Sequence, residues 1–187
     1  MRGRLLVTLT ILGTMAMALA GFHPSRAGAV QVASSQAKQE AESTKADRIE
    51  ALAMELLSLG DVENWEQAAE LLERSARLRP EANLSRATSL KIAANLYHWT
   101  GATAHARDLL QEAAEWAQEL GALSFAAHTF LDAAVLSAEL RMGRHTVAAT
   151  QTAERLAASP EMPRGEREAI EARIRGLNLP LRLAEIM

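Results

Sequence analysis

The chain has no cysteine, which removes disulfides, thiolate metal sites, a cysteine nucleophile and a lipidated cysteine at an export junction from consideration. It leaves the redox compartment open. Aromatic residues make up only 4%, and no β-branched run suited to a strand is present. Ala and Leu, which lose little on entering a helix, are abundant instead, so the composition predicts helices. With only 10 Gly and 5 Pro, 49% apolar and 23% charged residues, the chain has globular rather than disordered composition. The longest apolar run, 5–20, falls short of the roughly 20 residues that span a bilayer comfortably. A length of 187 residues accommodates one domain of ordinary size with a real core.

The formal net charge of -3 is unevenly spread. The stretch 1–29 holds Arg2, Arg4 and Arg26 and no acid, so without those three bases the remainder stands at -6. An acidic body argues against nucleic acid as the main partner. At the N-terminus a short basic stretch precedes the apolar run, and small residues follow at Ala18-Leu19-Ala20 and Ala27-Gly28-Ala29. That order is the layout of a secretory signal peptide over 1–29, with cleavage expected after Ala29 and Ala20 as the alternative site. Contact with a membrane would then be transient, and the mature chain periplasmic or secreted. The segment 30–44, rich in Ser, Gln, Ala and Lys, reads as a flexible leader.

The body repeats itself. Ala68-Ala69-Glu70-Leu71-Leu72-Glu73-Arg74-Ser75-Ala76 matches Ala106-Arg107-Asp108-Leu109-Leu110-Gln111-Glu112-Ala113-Ala114 nearly type for type. A weaker third copy starts at Ala148, and Gly60, Gly101 and Gly143 precede the three copies at nearly equal intervals. Ahead of the first two glycines lie further helical patterns: Ile49, Leu52, Ala53 and Leu56 in one, Leu90, Ala93, Ala94 and Tyr97 in the other. Three helix pairs are predicted, 45–59 with 65–78, 85–100 with 103–120, and 124–142 with 146–158. Asn64, with Gln67 three positions on, and Thr103 are expected to cap helices, and Pro80 and Pro160 to stand just past helix ends. Gly101 and Gly143 are expected to take the left-handed conformation that closes a helix.

The pattern over 46–158 resembles the tetratricopeptide repeat family. Ala53 and Ala94 match the small residue that lets the second helix of a unit approach the first. Leu52, Leu56, Leu90 and Tyr97 match the large apolar positions of the first helix, while Ala68 and Ala106, Leu72 and Leu110, and Ser75 and Ala113 match positions of the second. Pro80 matches the proline that ends a unit. The spacing here is longer than the family unit of roughly 34 residues. In the third copy Leu136 stands where a small residue is expected and Thr152 where a large one is. The resemblance implies an all-α, tetratricopeptide-like solenoid of three helical pairs over 45–158. The region 159–187 then supplies a capping helix, where Glu166, Glu168 and Glu171 alternate with Arg167, Arg173 and Arg175, and a tail that packs back on the stack. A related helical-pair repeat or an irregular bundle would satisfy the same periodicity.

Catalytic signatures are scarce. His128 and Asp132 share a helical face but lack the further ligand that metal binding needs. No phosphate loop, nucleophile elbow or Ser-His-Asp arrangement is visible, and Glu112, Glu115 and Glu119 read as a solvated face. No cofactor, metal or catalysis is expected. In the repeat family the first helices line the inner curve, which here would expose Thr88, Lys91, Asn95, His98 and Trp99, together with Asp47, Glu50, Met54, Leu57 and Ser58. A protein or peptide segment is the expected occupant, with Trp99 either an anchor or part of the core. Two other readings are a small periplasmic helical enzyme or ligand carrier with an internal pocket, and a subunit whose repeats pack against identical copies.

Overall fold

A computed structural model of the chain describes residues 26–79 and 83–184, with side chains described over 35–79 and 83–177. The signal-peptide positions 1–25 and Pro80 lie outside these. The described residues form seven α-helices and no strand: α1 (Arg26–Ser58), α2 (Val62–Leu78), α3 (Leu84–Trp99), α4 (Thr103–Glu119), α5 (Leu123–Glu139), α6 (Gly143–Ala157) and α7 (Arg164–Ala184). None is long and apolar enough to cross a membrane. The chain divides into a unit at 1–37 and a unit at 38–187. Of the first, the described part is the opening of α1, so the stretch read as a leader is helical. The tail expected to pack back continues α7 as far as Ala184, and its side chains beyond 177 lie outside the described residues.

In the larger unit each helix from α2 to α6 packs on the next, and α7 packs on both α5 and α6. Tight turns enforce this. After α3, α4 and α5, the left-handed residue is Gly101, Gly121 and Arg141, respectively, evenly spaced along the chain. At each turn the amide of the next residue reaches back five positions: Ala102 to Tyr97 (2.7 Å), Ala122 to Ala117 (2.9 Å) and Met142 to Ser137 (2.8 Å). The left-handed residue itself donates to the carbonyl three positions back, which completes a Schellman closure. Gly143, expected to close a helix, instead begins α6, and Arg141 (φ 57°) takes the left-handed place.

The expected caps also move. Asp61, not Asn64, precedes α2, and Thr103 is the first residue of α4 behind Ala102. A cap that does form is Asn83, whose side chain accepts from the Ser85 amide at 2.8 Å.

Burial reveals the repeat more sharply than residue identity. The buried α3 positions 87, 89, 90, 93, 94, 96 and 97 have buried counterparts on α5 at 127, 129, 130, 133, 134, 136 and 137. The α4 positions 106, 109, 110, 113 and 117 likewise recur at 146, 149, 150, 153 and 157 on α6. Ala134 therefore occupies the small-residue place of Ala53 and Ala94, and all three are fully buried. The third copy begins at Thr146 rather than Ala148, which is exposed. A threonine tolerates that buried site because its hydroxyl donates to the Met142 carbonyl at 3.3 Å.

Two apolar clusters result. One joins Ala53, Leu72, Leu90, Ala94, Leu110 and their neighbours. The other gathers Phe130, Leu131, Ala153, Met162, Ile170 and Ile174 under α7. Leu52, expected among the core positions of α1, is 48% exposed.

Candidate functional site

The first helices of successive pairs are joined laterally by charge. Asp132 on α5 binds Lys91 of α3 at 2.8 Å and Arg173 of α7 at 2.7 Å, so one carboxylate ties three helices together. Lys91 also donates to Thr129 Oγ1 at 3.3 Å and lies over the Phe125 ring. His98 of α3 stands 3.9 Å from Glu139 of α5. On the other side, Glu50 of α1 is paired with Arg79 at the end of α2, whose guanidinium also meets Asp47 at 2.9 Å.

These contacts sort the residues expected on the inner face. Lys91 and Glu50 are half-buried and engaged in ion pairs, and Leu57 is half-buried against the core. His98 is half-buried beside Thr103, 3.4 Å away. Thr88, Asn95, Met54 and Trp99 remain exposed, with Thr88 donating to its own helix at Leu84. Asp47 is largely exposed despite its contact with Arg79, and Ser58 is exposed.

Trp99 is not core: it is 64% exposed. The helical period explains this, since Leu96 and Tyr97 are turned inward and Trp99 must face away. Its ring partner among the described residues is Trp65 of α2, at 5.6 Å between centroids and tilted 54°. Trp65 is itself anchored against the core. One turn before it on α2 is Val62, 57% exposed, and Leu59 in the preceding turn is 61% exposed. The third tryptophan, Trp116, is instead half-buried beneath the Arg86 guanidinium, 4.1 Å from its ring.

Sequence reasoning places Trp99 on the face but misses its pairing with Trp65 and the apolar turn beside it. The available signal is the spacing of Val62 and Trp65, one helical turn apart just after a glycine.

Between α2, α3 and α4, burial and neighbouring charges shift two polar groups. Burial pushes the Tyr97 phenol up to about 12, and the charges of Glu73, Glu70 and Glu66 add to the effect. Burial also pushes Glu73 upward, but hydrogen bonds from Arg77 and His105 outweigh it and hold the carboxyl below its ordinary value. At the far end, Arg173 donates to His128 Nδ1 (3.1 Å) while His128 Nε2 faces Glu166 at 3.2 Å. An arginine can only donate, so Nδ1 is the accepting nitrogen of that contact. Ser124 and then His128 hold Glu166 below the ordinary carboxyl value. The His128–Asp132 pair thus serves to dock α7, and no group of three or more potential metal ligands occurs among the described residues.

No family model matches the chain, and no curated protein matches it.

Proposed function

We propose that the chain is an exported, non-catalytic scaffold of the tetratricopeptide type, whose helix pairs hold a segment of a partner protein. The observation that carries this reading is Trp99, an indole left 64% exposed on a helix whose other large apolar residues are mostly buried. An exposed aromatic edged by polar groups is how peptide-binding surfaces supply an anchor. The recurrence of the α3 and α4 burial pattern on α5 and α6, with Ala53, Ala94 and Ala134 as the small contact residues, favours stacked pairs of the tetratricopeptide kind. Export is supported by the basic start, apolar run and small residues of 1–29.

Affinity recovery from the native host tests the binding reading. A Trp99→Ala variant should keep its helical circular dichroism and lose the partner that the parent chain retains. A partner recovered equally by both chains would contradict it. Terminal sequencing of the native protein tests export, with a start at Val30 or Gly21 expected and an intact Met1 contradicting it.

A further inference from the structure

The apolar corner around Trp99 has a distinctive electrostatic setting. Between Ile49 and Glu73 the chain carries seven acidic residues and no basic one. Two of the seven are paired with a base within the fold, Glu50 with Arg79 and Glu73 with Arg77, and His105 lies 3.0 Å from Glu73. Glu55, Asp61, Glu63, Glu66 and Glu70 are exposed and take part in no ion pair among the described residues. Acids at the start of a helix complement its dipole, which accounts for Asp61 and Glu63. It does not account for the missing bases, nor for Glu55 and Glu70, which lie away from that terminus.

Resting on the scaffold reading above, we infer that the corner formed by Leu59, Val62, Trp65 and Trp99 receives a cationic amphipathic segment of a partner protein. One bulky apolar side chain of that segment packs on the exposed Trp99 face, and flanking lysines or arginines meet Asp61, Glu63 and Glu66. The chemistry selects this occupant over others. Leu59, Val62 and Trp99 supply apolar surface that is more than half exposed, while the surrounding carboxylates favour positive charge and repel an anionic lipid surface or nucleic acid. An indole face also attracts ammonium and guanidinium groups directly. A second copy of the chain offers a poorer match: its cationic helix α7 has Ile170 and Ile174 already buried against α5 and α6.

The test is a titration of the full mature chain with synthetic peptides, read by calorimetry and by tryptophan emission in a Trp65→Phe, Trp116→Phe background. One peptide is a helical Lys/Leu/Ala sequence with a single apolar stripe; its counterpart replaces every Lys by Glu. The cationic peptide should bind and shift Trp99 emission to the blue, and the acidic one should not bind. Trp99→Ala should weaken binding at least tenfold with helicity unchanged. Glu63→Gln with Glu66→Gln should weaken it severalfold and flatten its salt dependence, whereas Glu115→Gln with Glu119→Gln on α4 should leave it unaltered. Equal binding of both peptides, an equal effect of the α4 pair, or no effect of Trp99→Ala would overturn the inference. So would concentration-dependent dimerisation abolished by Trp99→Ala, which would make a second copy the occupant. Failure here is separable from failure of the scaffold reading. If Trp99-dependent recovery from the host yields a partner with an acidic or neutral contact segment, the scaffold stands and the charge assignment falls; if recovery does not depend on Trp99, the scaffold itself falls.

Discussion

Two helices of the larger unit, α3 and α5, are built on the same helical repeat and differ in what covers their outward faces. On α5, His128 and Val135 are half-buried, Asp132 is locked between Lys91 and Arg173, and α7 lies across the helix. On α3 the matching Thr88 and Asn95 are exposed, Trp99 is exposed where α5 carries the exposed Glu139, and the neighbouring turn adds Leu59 and Val62. A terminal repeat leaves an apolar flank, and α7 covers one such flank with Ile170 and Ile174 inward and Arg164, Glu168 and Glu171 outward. Exposed apolar surface is therefore not inherent in this repeat. Other large apolar side chains are exposed as well, Met54 and Val147 among them, and Trp99 is the most exposed of them and the proposed seat of a partner segment.

The largest expected effect comes from a charge buried inside the shared framework. Ala106→Glu places an unpaired carboxylate at a fully buried site and should cost about 4 kcal/mol or more, read as loss of cooperative thermal unfolding. Ala148→Glu, at the exposed position that residue matching alone pairs with Ala106, should change stability by less than about 0.5 kcal/mol. Equal effects would break the register in which Thr146 answers Ala106. Next, Ile170→Ala should cost roughly 2–4 kcal/mol and release amide protection in α7, because Ile170 is fully buried in the cluster under α7. Trp99→Ala, on the exposed face of α3, should cost about 1 kcal/mol or less although it deletes a far larger side chain. A reversal of that order in denaturant titrations would undo the contrast.

Asp132→Asn should cost roughly 1–2 kcal/mol, since it weakens two charge-assisted contacts at a half-buried site. A double-mutant cycle with Arg173→Ala should show coupling, and one with Trp99→Ala none. Smaller still, Gly121→Ala should cost about 1 kcal/mol because φ there is 73°, while Arg141→Gly should gain roughly 0.5 kcal/mol by relieving the same strain. Finally, the unfolded chain releases the tyrosine proton near its ordinary value of 10, while in the folded chain Tyr97 holds it to about 12. The stability this phenol contributes is therefore complete below pH 10 and lost as pH rises from 10 towards 12, and Tyr97→Phe should remove that part of the alkaline decline in stability.

Much of the helical order is legible in the sequence because apolar spacing survives without an alignment: α3 and α4 begin and end within one position of 85–100 and 103–120. The third register is not. A glycine is the ordinary mark of a helix closure, yet Gly143 stands two positions beyond Arg141, which does that job. The same offset separates Ala148 from Thr146, so one atypical turn residue displaces the whole copy. Lys91 is legible as an inner-face residue, but its commitment to Asp132 is not, because a polar pairing between helices distant in the chain leaves no trace in apolar periodicity. Periodicity puts Trp99 on the correct helix and leaves its exposure unresolved. Only packing shows that Leu96 and Tyr97 take the inward positions and leave the indole outside.

The most direct measurement compares the accessibility of Trp99 and Trp116 to a neutral quencher in single-tryptophan variants, before and after adding the cationic peptide. Free Trp99 should be quenched nearly as efficiently as a free indole, Trp116 should be markedly protected, and the peptide should shield Trp99 alone. Equal protection of the two indoles, or no change at Trp99 on saturation, would contradict an open, partner-seeking corner.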